Sequence, residues 1–225
     1  MKKFLFVYFC CLLFAFEGFS QVRLGLRFSP GLAISRAIDR EPTDDLTIKA
    51  RGVGVRFFAG PEISYFFGDN YSLVTGIWYS SRRAGLRIDQ SFGTFTQPLV
   101  EEVYNLQYLQ IPVTMRLFTN EIATNTKLYF QLGGTLDIKL AEKAVVLQSN
   151  YIDRFRRFDS SVIFGSGIQI QLGSNTALLL GASYMRGLLN SISRTDVLVN
   201  PQQQMVEPNY RLNNDLLSID VGIRF

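Results

Sequence analysis

Apolar and polar residues alternate with a period of two along most of the chain, which is the pattern of β-strands with two unlike faces. The segment from Lys127 to Leu140 shows it most clearly, because its even positions are mainly apolar and its odd positions are mainly polar or small. Eight segments carry this alternation, around residues 22–35, 52–67, 71–88, 103–118, 127–140, 161–172, 176–187 and 217–225. Beyond residue 20 no apolar run is long enough for a membrane-spanning helix. We therefore predict an all-β fold of eight strands.

The connections between these segments alternate between short and long. Tight turns are predicted at Gly68-Asp69-Asn70 and Gly173-Ser174-Asn175, and a shorter connection at Thr119–Thr126. The long connections are Ile38–Lys49, Asp89–Glu102, Ala141–Arg157 and Leu188–Arg211. Short periplasmic turns and long external loops are typical of outer-membrane barrels, and an even strand number places both barrel ends on the periplasmic side.

A soluble eight-stranded barrel of the lipocalin type is the alternative fold. Its outer face would be rich in Lys and Glu, whereas the polar face here is mainly Gly, Ser, Thr, Gln and Arg. This composition fits the filled interior of a small membrane barrel. Aromatic residues near the short turns also predict a periplasmic girdle: Tyr65, Phe66, Phe67, Tyr71, Phe118, Tyr129 and Phe225. We predict a single antiparallel up-and-down transmembrane β-barrel of eight strands.

Residues 1–20 have the features of a cleaved signal peptide. Lys2 and Lys3 precede an apolar run from Phe4 to Phe16, which is too short to span a bilayer but fits the apolar region of a secretory signal. We expect cleavage before Gln21 and a barrel domain over residues 21–225, located in the outer membrane of a Gram-negative bacterium.

Composition argues against the commonest catalytic sites. Both cysteines lie in the expected signal peptide and the chain has no His, so the barrel offers no thiolate or imidazole for a nucleophile or zinc site. Loss of the signal leaves 23 − 2 = 21 basic and 19 − 1 = 18 acidic residues, a net charge of +3. That charge is too mild to indicate nucleic-acid binding. We expect no enzyme activity, no cofactor and no metal site.

The fourth segment contains a change of phase. Its apolar residues stand at even positions up to Tyr108 and at odd positions from Ile111, and Pro112 lies inside it without a backbone N–H. One inserted residue would restore a single outward face, and a β-bulge supplies such an insertion. We therefore expect a bulge between Leu109 and Pro112.

The stretch Tyr108-Leu109-Gln110-Ile111-Pro112-Val113-Thr114-Met115-Arg116 resembles the hallmark strand of the PorT-like, porin-family outer-membrane β-barrel proteins. It departs from the usual form in Gln110, where the family has Glu, and in Arg116, where it has Lys. The resemblance implies a small eight-stranded barrel, and its namesake branch assists a protein secretion system. The end of the chain also resembles the signal recognised by the barrel-assembly machinery, with Leu217, Ile219, Val221, Ile223 and Phe225 as its residues.

Two groups of charged residues are candidate sites. The first should point into the lumen, where it would either conduct or bind a small ion or, as we expect, form a closed network of paired charges: Arg23, Arg27, Arg56, Glu62, Asp137, Lys139, Asp220 and Arg224. The second should lie on the outer rim, where it would bind phosphates or a partner, or would simply be solvated: Arg82, Arg83, Arg154, Arg156 and Arg157.

These observations favour a non-enzymatic barrel that acts through its extracellular loops or rim, as an accessory of a secretion or assembly complex or by binding envelope components. A small passive or substrate-specific channel is the alternative. The expected partners are outer-membrane lipids and lipopolysaccharide, the assembly machinery during biogenesis and an envelope protein, with no nucleic acid.

Overall fold

The computed structural model describes residues 21–39, 46–51, 53–92, 95–147, 152–195, 198–199, 205–206 and 210–225. The expected signal peptide, residues 1–20, lies outside the described residues, so its cleavage stays a prediction. No helix long and apolar enough to cross a membrane occurs among the described residues.

The described residues form fourteen β-strands. The barrel is built from β1 (Val22–Asp39), β3 (Gly54–Gly68), β4 (Tyr71–Gly76), β5 (Trp78–Phe92), β6 (Phe95–Ala123), β7 (Thr126–Leu147), β9 (Phe158–Gln171), β10 (Ala177–Gly187) and β14 (Tyr210–Arg224). Shorter strands extend one end of it: β2 (Leu46–Ala50), β8 (Ile152–Phe155), β11 (Ile192–Thr195), β12 (Leu198–Val199) and β13 (Met205–Val206).

The barrel strands close into one antiparallel ring. Its order is β1, β3, β4 with β5, β6, β7, β9, β10 and β14, and β14 pairs back to β1. β4 and β5 act as one barrel strand, because Thr75↔Val113 and Trp78↔Gln110 keep the same register against β6. The ring therefore has eight strands, and the predicted up-and-down barrel is confirmed.

The outer wall is apolar in the half of the barrel that carries the short turns. On β1, Leu24, Leu26 and Phe28 are more than half exposed on the outside, whereas Arg27 and Ser29, which alternate with Leu26 and Phe28, are buried inside. The same alternation runs round the ring. An apolar band outside a polar lumen is the arrangement that a bilayer stabilises, because lipid meets apolar side chains and each backbone polar group is paired within the ring.

The polarity of the two faces reverses at the opposite end. On β6, Tyr104, Leu106 and Tyr108 point inward and are buried, while Asn105 and Gln107 between them point outward. β6 has 29 residues, whereas an outer-membrane strand needs about 9–11 to cross the bilayer. Its first part therefore projects beyond the membrane on the extracellular side, where water covers the outer face and apolar side chains pack inside.

Two predicted external loops are wrong for this reason. The segment Asp89–Glu102 is mostly a hairpin, since β5 continues to Phe92 and β6 begins at Phe95. The segment Ala141–Arg157 is also largely strand, because it contains the end of β7 and all of β8. Polar residues in these two segments predict loops only if every strand has an apolar outer face. Strands that project beyond the membrane have a polar outer face, so the assumption fails for them.

The predicted bulge between Leu109 and Pro112 is also wrong. From Tyr108 to Phe118, β6 pairs with β7 residue by residue, and the nearest shift lies between Gln107 and Tyr108. The apolar phase changes because the inward residues of β6 change from apolar, up to Tyr108, to mainly polar, from Gln110 onwards, without an inserted residue between Leu109 and Pro112. Pro112 lies opposite the gap between β4 and β5. In that gap the backbone N–H of Ile77 is directed to β3, where it donates to Pro61 O at 3.1 Å.

Candidate functional site: the lumen and the extracellular end

A charged network fills the lumen towards the short turns. Glu62 lies at its centre, with Oε1 3.4 Å from Arg27 Nη1 and Oε2 2.8 Å from Arg116 Nη2. Arg27 Nη2 also lies 2.7 Å from Asp220 Oδ2. Gln131 Oε1 accepts hydrogen bonds from both arginines at 3.1 Å. All five side chains are buried, so two cations and two anions neutralise each other in a closed set.

An aromatic layer lies above this network. The rings of Phe58 and Trp78 have centroids 4.7 Å apart, and both side chains are fully buried. The Arg27 guanidinium lies 5.1 Å from each ring centroid, which adds a cation–π contact to its ion pairs. The apolar residues packed in the same layer are Ala33, Ile163, Met185 and Leu216. This layer separates the lower charged network from the charges above it.

A second ion pair follows above the aromatic layer. Arg82 Nη2 is 2.6 Å from Asp137 Oδ2, and Gln110 Nε2 donates to Asp137 Oδ1 at 2.8 Å. The guanidinium of Arg82 lies 5.1 Å from the Tyr108 ring centroid. Arg82 is therefore buried inside the barrel, and its predicted place on the rim is wrong. Its even position on β5 shares the inward face of Trp78.

Four of the predicted lumen residues lie outside these networks, and Arg56 and Lys139 are two of them. Arg56 is half-buried, and its Nη2 donates to Asn105 Oδ1 at 2.7 Å. Lys139 pairs with Glu142 and donates to Phe155 O at 2.8 Å, so it ties β7 to β8 at the extracellular end. Neither side chain lies among the carboxylates of the two charged layers.

Arg23 and Arg224 lie at the mouth beside the short turns. Arg224 is buried, with its guanidinium 4.7 Å from the Phe66 ring centroid and 5.7 Å from that of Phe118, and Arg23 lies 5.9 Å from Phe66. The predicted aromatic girdle is thus only partly correct. Phe118 and Tyr129 are buried inside and Phe66 packs against them, whereas an exposed outer position is held by Tyr65, Phe67, Tyr71 and Phe225.

An apolar cluster fills the extracellular end of the barrel. It consists of Ala84, Leu86, Ile88, Val100, Tyr104, Leu106, Tyr108, Ile152, Phe155, Ile192 and Leu212. Tyr104 and Phe155 meet edge to face with ring centroids 5.0 Å apart. Burial and the neighbouring Glu102 carboxylate raise the pKa of Tyr104, so its hydroxyl stays protonated and donates to Glu102 Oε2 at 3.2 Å.

The basic segment around β8 is anchored on this cluster. Ile152 and Phe155 are buried, while Asp153 and Arg154 between them are exposed. The backbone is held by Ile152 N, which donates to Glu102 Oε2 at 3.0 Å. The buried ends of β8 therefore anchor the strand, and its exposed charged residues are held at the surface.

The remaining rim arginines differ in exposure. Arg154, Arg156 and Arg157 are exposed, and Arg156 N donates to Ser191 O at 2.8 Å, which holds the backbone beside β11. Arg83 is half-buried. Arg154, Arg156 and Arg157 are thus exposed to a ligand at the extracellular end.

The residues of the predicted assembly signal lie on β14, except for Phe225, which directly follows it. Leu217, Ile219, Val221 and Phe225 are exposed on the outer wall and Ile223 is half-buried. Their recognition during assembly stays a prediction. Among the described residues no group of three or more His, Cys, Asp or Glu side chains is placed to hold a metal ion.

Comparison with known proteins agrees with this geometry. Residues 18–193 of the 225 match the family described as an outer membrane protein β-barrel domain. The chain belongs to this family. Its location is accordingly the outer membrane, and the PorT-like branch is not distinguished within it.

The fold resembles that of OprG from Pseudomonas aeruginosa, with a TM-score of 0.53 and 10% identity over 91% of this chain and 95% of that chain. Neisserial surface protein A gives a TM-score of 0.42 and 13% identity over 89% and 95% of the two chains. Ail of Yersinia pestis gives 0.37 and 17% over 90% and 99%. The likeness of fold rests on OprG, because the other two scores are too low to support an argument. No curated relative matches the sequence.

The sequence also indicates the one charged residue of the Glu62 network that is not in the predicted lumen set. Arg116 continues the inward series of Pro112 and Thr114, opposite the outward Val113 and Met115. The alternation alone therefore places its guanidinium in the lumen. Its pairing with Glu62 depends on the register between distant strands, which the alternation does not contain.

Proposed function

We propose that this protein is a non-enzymatic outer-membrane barrel that acts through its extracellular end and not through its lumen. The observation that supports this most is the filling of the lumen. The Glu62 network, the Phe58–Trp78 layer, the Arg82–Asp137 pair and the apolar cluster follow one another along the barrel axis. A solute could cross only if buried, paired side chains moved out of its way, which is costly.

The basic segment at β8 is the candidate surface. Arg154, Arg156 and Arg157 are exposed on a base anchored by Ile152 and Phe155. Guanidinium groups bind phosphates and carboxylates with paired hydrogen bonds. Such a surface suits the phosphates of lipopolysaccharide or the acidic face of an envelope protein. An accessory role in secretion rests on the resemblance around Tyr108–Arg116 and is the finer form of this proposal.

A crosslinked pull-down of the tagged barrel from native outer membranes tests the proposal. The comparison is between the wild type, a variant with Arg154, Arg156 and Arg157 all changed to Gln, and the control Lys143→Gln, which removes an exposed cation on β7. We expect mass spectrometry to find a defined set of envelope proteins, or lipopolysaccharide, with the wild type and the control and a strong loss with the triple variant. Equal recovery with all three would contradict the proposed surface.

The channel alternative is tested by conductance in planar bilayers. We expect no reproducible step for the purified wild-type barrel under conditions in which a general porin gives one. A stable conductance would mean that the lumen opens, and the extracellular end would then no longer be the leading candidate.

A further inference from the structure

The mouth beside the short turns contains a cavity that the proposed function does not use. Its volume is 550 Å³, and its lining includes Arg23, Phe66, Phe118, Lys127 and Arg224. Because the short turns and both ends of the barrel lie on this side, the cavity opens towards the periplasm. It lies at the opposite end of the barrel from the basic segment at β8, so its role is independent of that surface.

Arg224 is the unusual group in this cavity. Its side chain is about 95% buried, since the residue keeps only 5% of its exposure, yet Nε and Nη1 have no hydrogen-bond partner and no described ion pair includes it. Its contacts are with the faces of Phe66 and Phe118. A buried guanidinium normally satisfies its five donors, because leaving them unpaired costs free energy.

Arg23, the other arginine of the cavity, also lacks a carboxylate partner among the described ion pairs. Arg23 approaches the same Phe66 ring, and its Nη1 donates to a backbone oxygen, Asn175 O, at 3.3 Å. Glu62 is the carboxylate that interacts with Arg224, but it is already shared by Arg27 and Arg116.

The remaining charged groups of the lining do not neutralise the excess positive charge of the cavity. Lys127 adds a third cation, and Asp69 and Glu121 lie exposed at the edge of the mouth. By contrast, each of Arg27, Arg82 and Arg116 has a carboxylate within 3.4 Å. The inner wall of the cavity therefore has guanidinium donors without an acidic partner.

We propose that this cavity binds a small soluble oxyanion, a phosphate or a carboxylate, between Arg23 and Arg224. The aromatic rings hold the Arg224 guanidinium in place, and the anion supplies the missing acceptors and the missing charge. The cavity has room for an oxyanion carried on a small organic molecule. Cleavage before Gln21, which also lines the cavity, would add the α-amino group of the mature chain to the site.

The test is a binding titration on the refolded mature chain in a neutral detergent at constant ionic strength. Inorganic phosphate and acetate are titrated separately by calorimetry against the wild type, Arg224→Gln, Arg224→Lys and Arg211→Gln. Arg211 is an exposed arginine at the other end of the same strand, so its variant controls for the loss of one charge. Heat-modifiable migration on gels verifies that each variant has folded.

We expect at least one of the two anions to bind the wild type. Arg224→Gln should weaken binding by about tenfold or more, which corresponds to 1.4 kcal/mol. Arg224→Lys should have an intermediate affinity, because lysine keeps the positive charge but lacks the paired N–H donors of the guanidinium. Arg211→Gln should bind like the wild type. If Arg224→Gln does not fold, Arg23→Gln takes its place with the same expectation.

Detergent micelles that contain phosphatidylglycerol are titrated in the same way. Three results would overturn the proposal: no binding of either anion by the wild type, equal weakening in Arg211→Gln, or binding only of the micelles that contain phosphatidylglycerol. The last result would mean that a lipid headgroup and not a soluble oxyanion occupies the mouth.

Discussion

The substitution Glu62→Gln should strongly destabilise the barrel although it hardly changes the size and shape of the side chain. In Glu62→Gln, Arg27 keeps Asp220 at 2.7 Å, but Arg116 loses its carboxylate and keeps only the neutral Gln131. Arg116 is buried, so its charge remains without compensation in the lumen. Removing one partner of a buried ion pair typically costs about 3–5 kcal/mol. We expect the free energy of unfolding to fall by about that amount.

Urea unfolding of the barrel in liposomes measures this change. The chain has a single tryptophan, Trp78, which lies in the lumen and reports unfolding by its fluorescence. Glu142→Gln is the matched control, because it breaks an ion pair with Lys139 at the extracellular end, where such pairs contribute about 0–1 kcal/mol. The double variant Glu62→Gln/Arg116→Gln should recover part of the loss. If Glu62→Gln costs no more than the control, the lumen is wet enough to solvate Arg116 and the closed network is refuted.

Two further changes test the packing and the membrane boundary. Gly167→Ala should destabilise the barrel by about 1–3 kcal/mol or prevent refolding, because its Cβ would collide with Leu180 O on the neighbouring strand. Gly173→Ala should be neutral, because its Cβ would have no atom within 4 Å, and urea midpoints compare the two variants. Leu132→Lys places a charge on the lipid-facing wall and should cost about 2–4 kcal/mol, whereas Gln107→Lys, on the wetted outer face of β6, should cost little. Equal effects of the two lysines in liposome unfolding would contradict the boundary that we place between them.

The alternation of residue types was sufficient to predict the ring because every spanning strand has lipid on one side and a filled lumen on the other. From Leu128 to Leu140 on β7, every outward position except Gly134 is apolar and the inward positions are mostly small or polar, so the number and direction of the strands follow directly. The same alternation failed where a strand leaves the bilayer. Tyr104, Leu106 and Tyr108 all point inward, and the pairing is regular from Tyr108 through Pro112, but the rule that apolar residues face outward required a bulge there.

The placement of charged residues was less predictable, for a different physical reason. Arg82 and Arg83 are adjacent, and a basic pair near the end of a spanning segment indicated a rim. Its even position on β5 places Arg82 on the inward face with Trp78, but only the register of the ring shows that it reaches Asp137, which lies 55 residues away along the chain. Parity assigns a side chain to a face, whereas the partner that stabilises a buried charge comes from another strand.

The charges inside the barrel and those at its two ends differ in one respect that bears on function. In the lumen Arg27 and Arg116 are matched by Glu62 and Asp220, so pairing leaves no net charge to attract an ion. These paired side chains fill the interior of the barrel. A lumen filled in this way fits a barrel that is closed to solutes. At the periplasmic mouth and at the β8 segment the arginines lack such partners among the described contacts. The lumen is filled, and Arg27, Arg82 and Arg116 each have a carboxylate partner there. Such a barrel can respond to its surroundings only at its ends, where the described ion pairs give no carboxylate to Arg224 or to the arginines of the β8 segment.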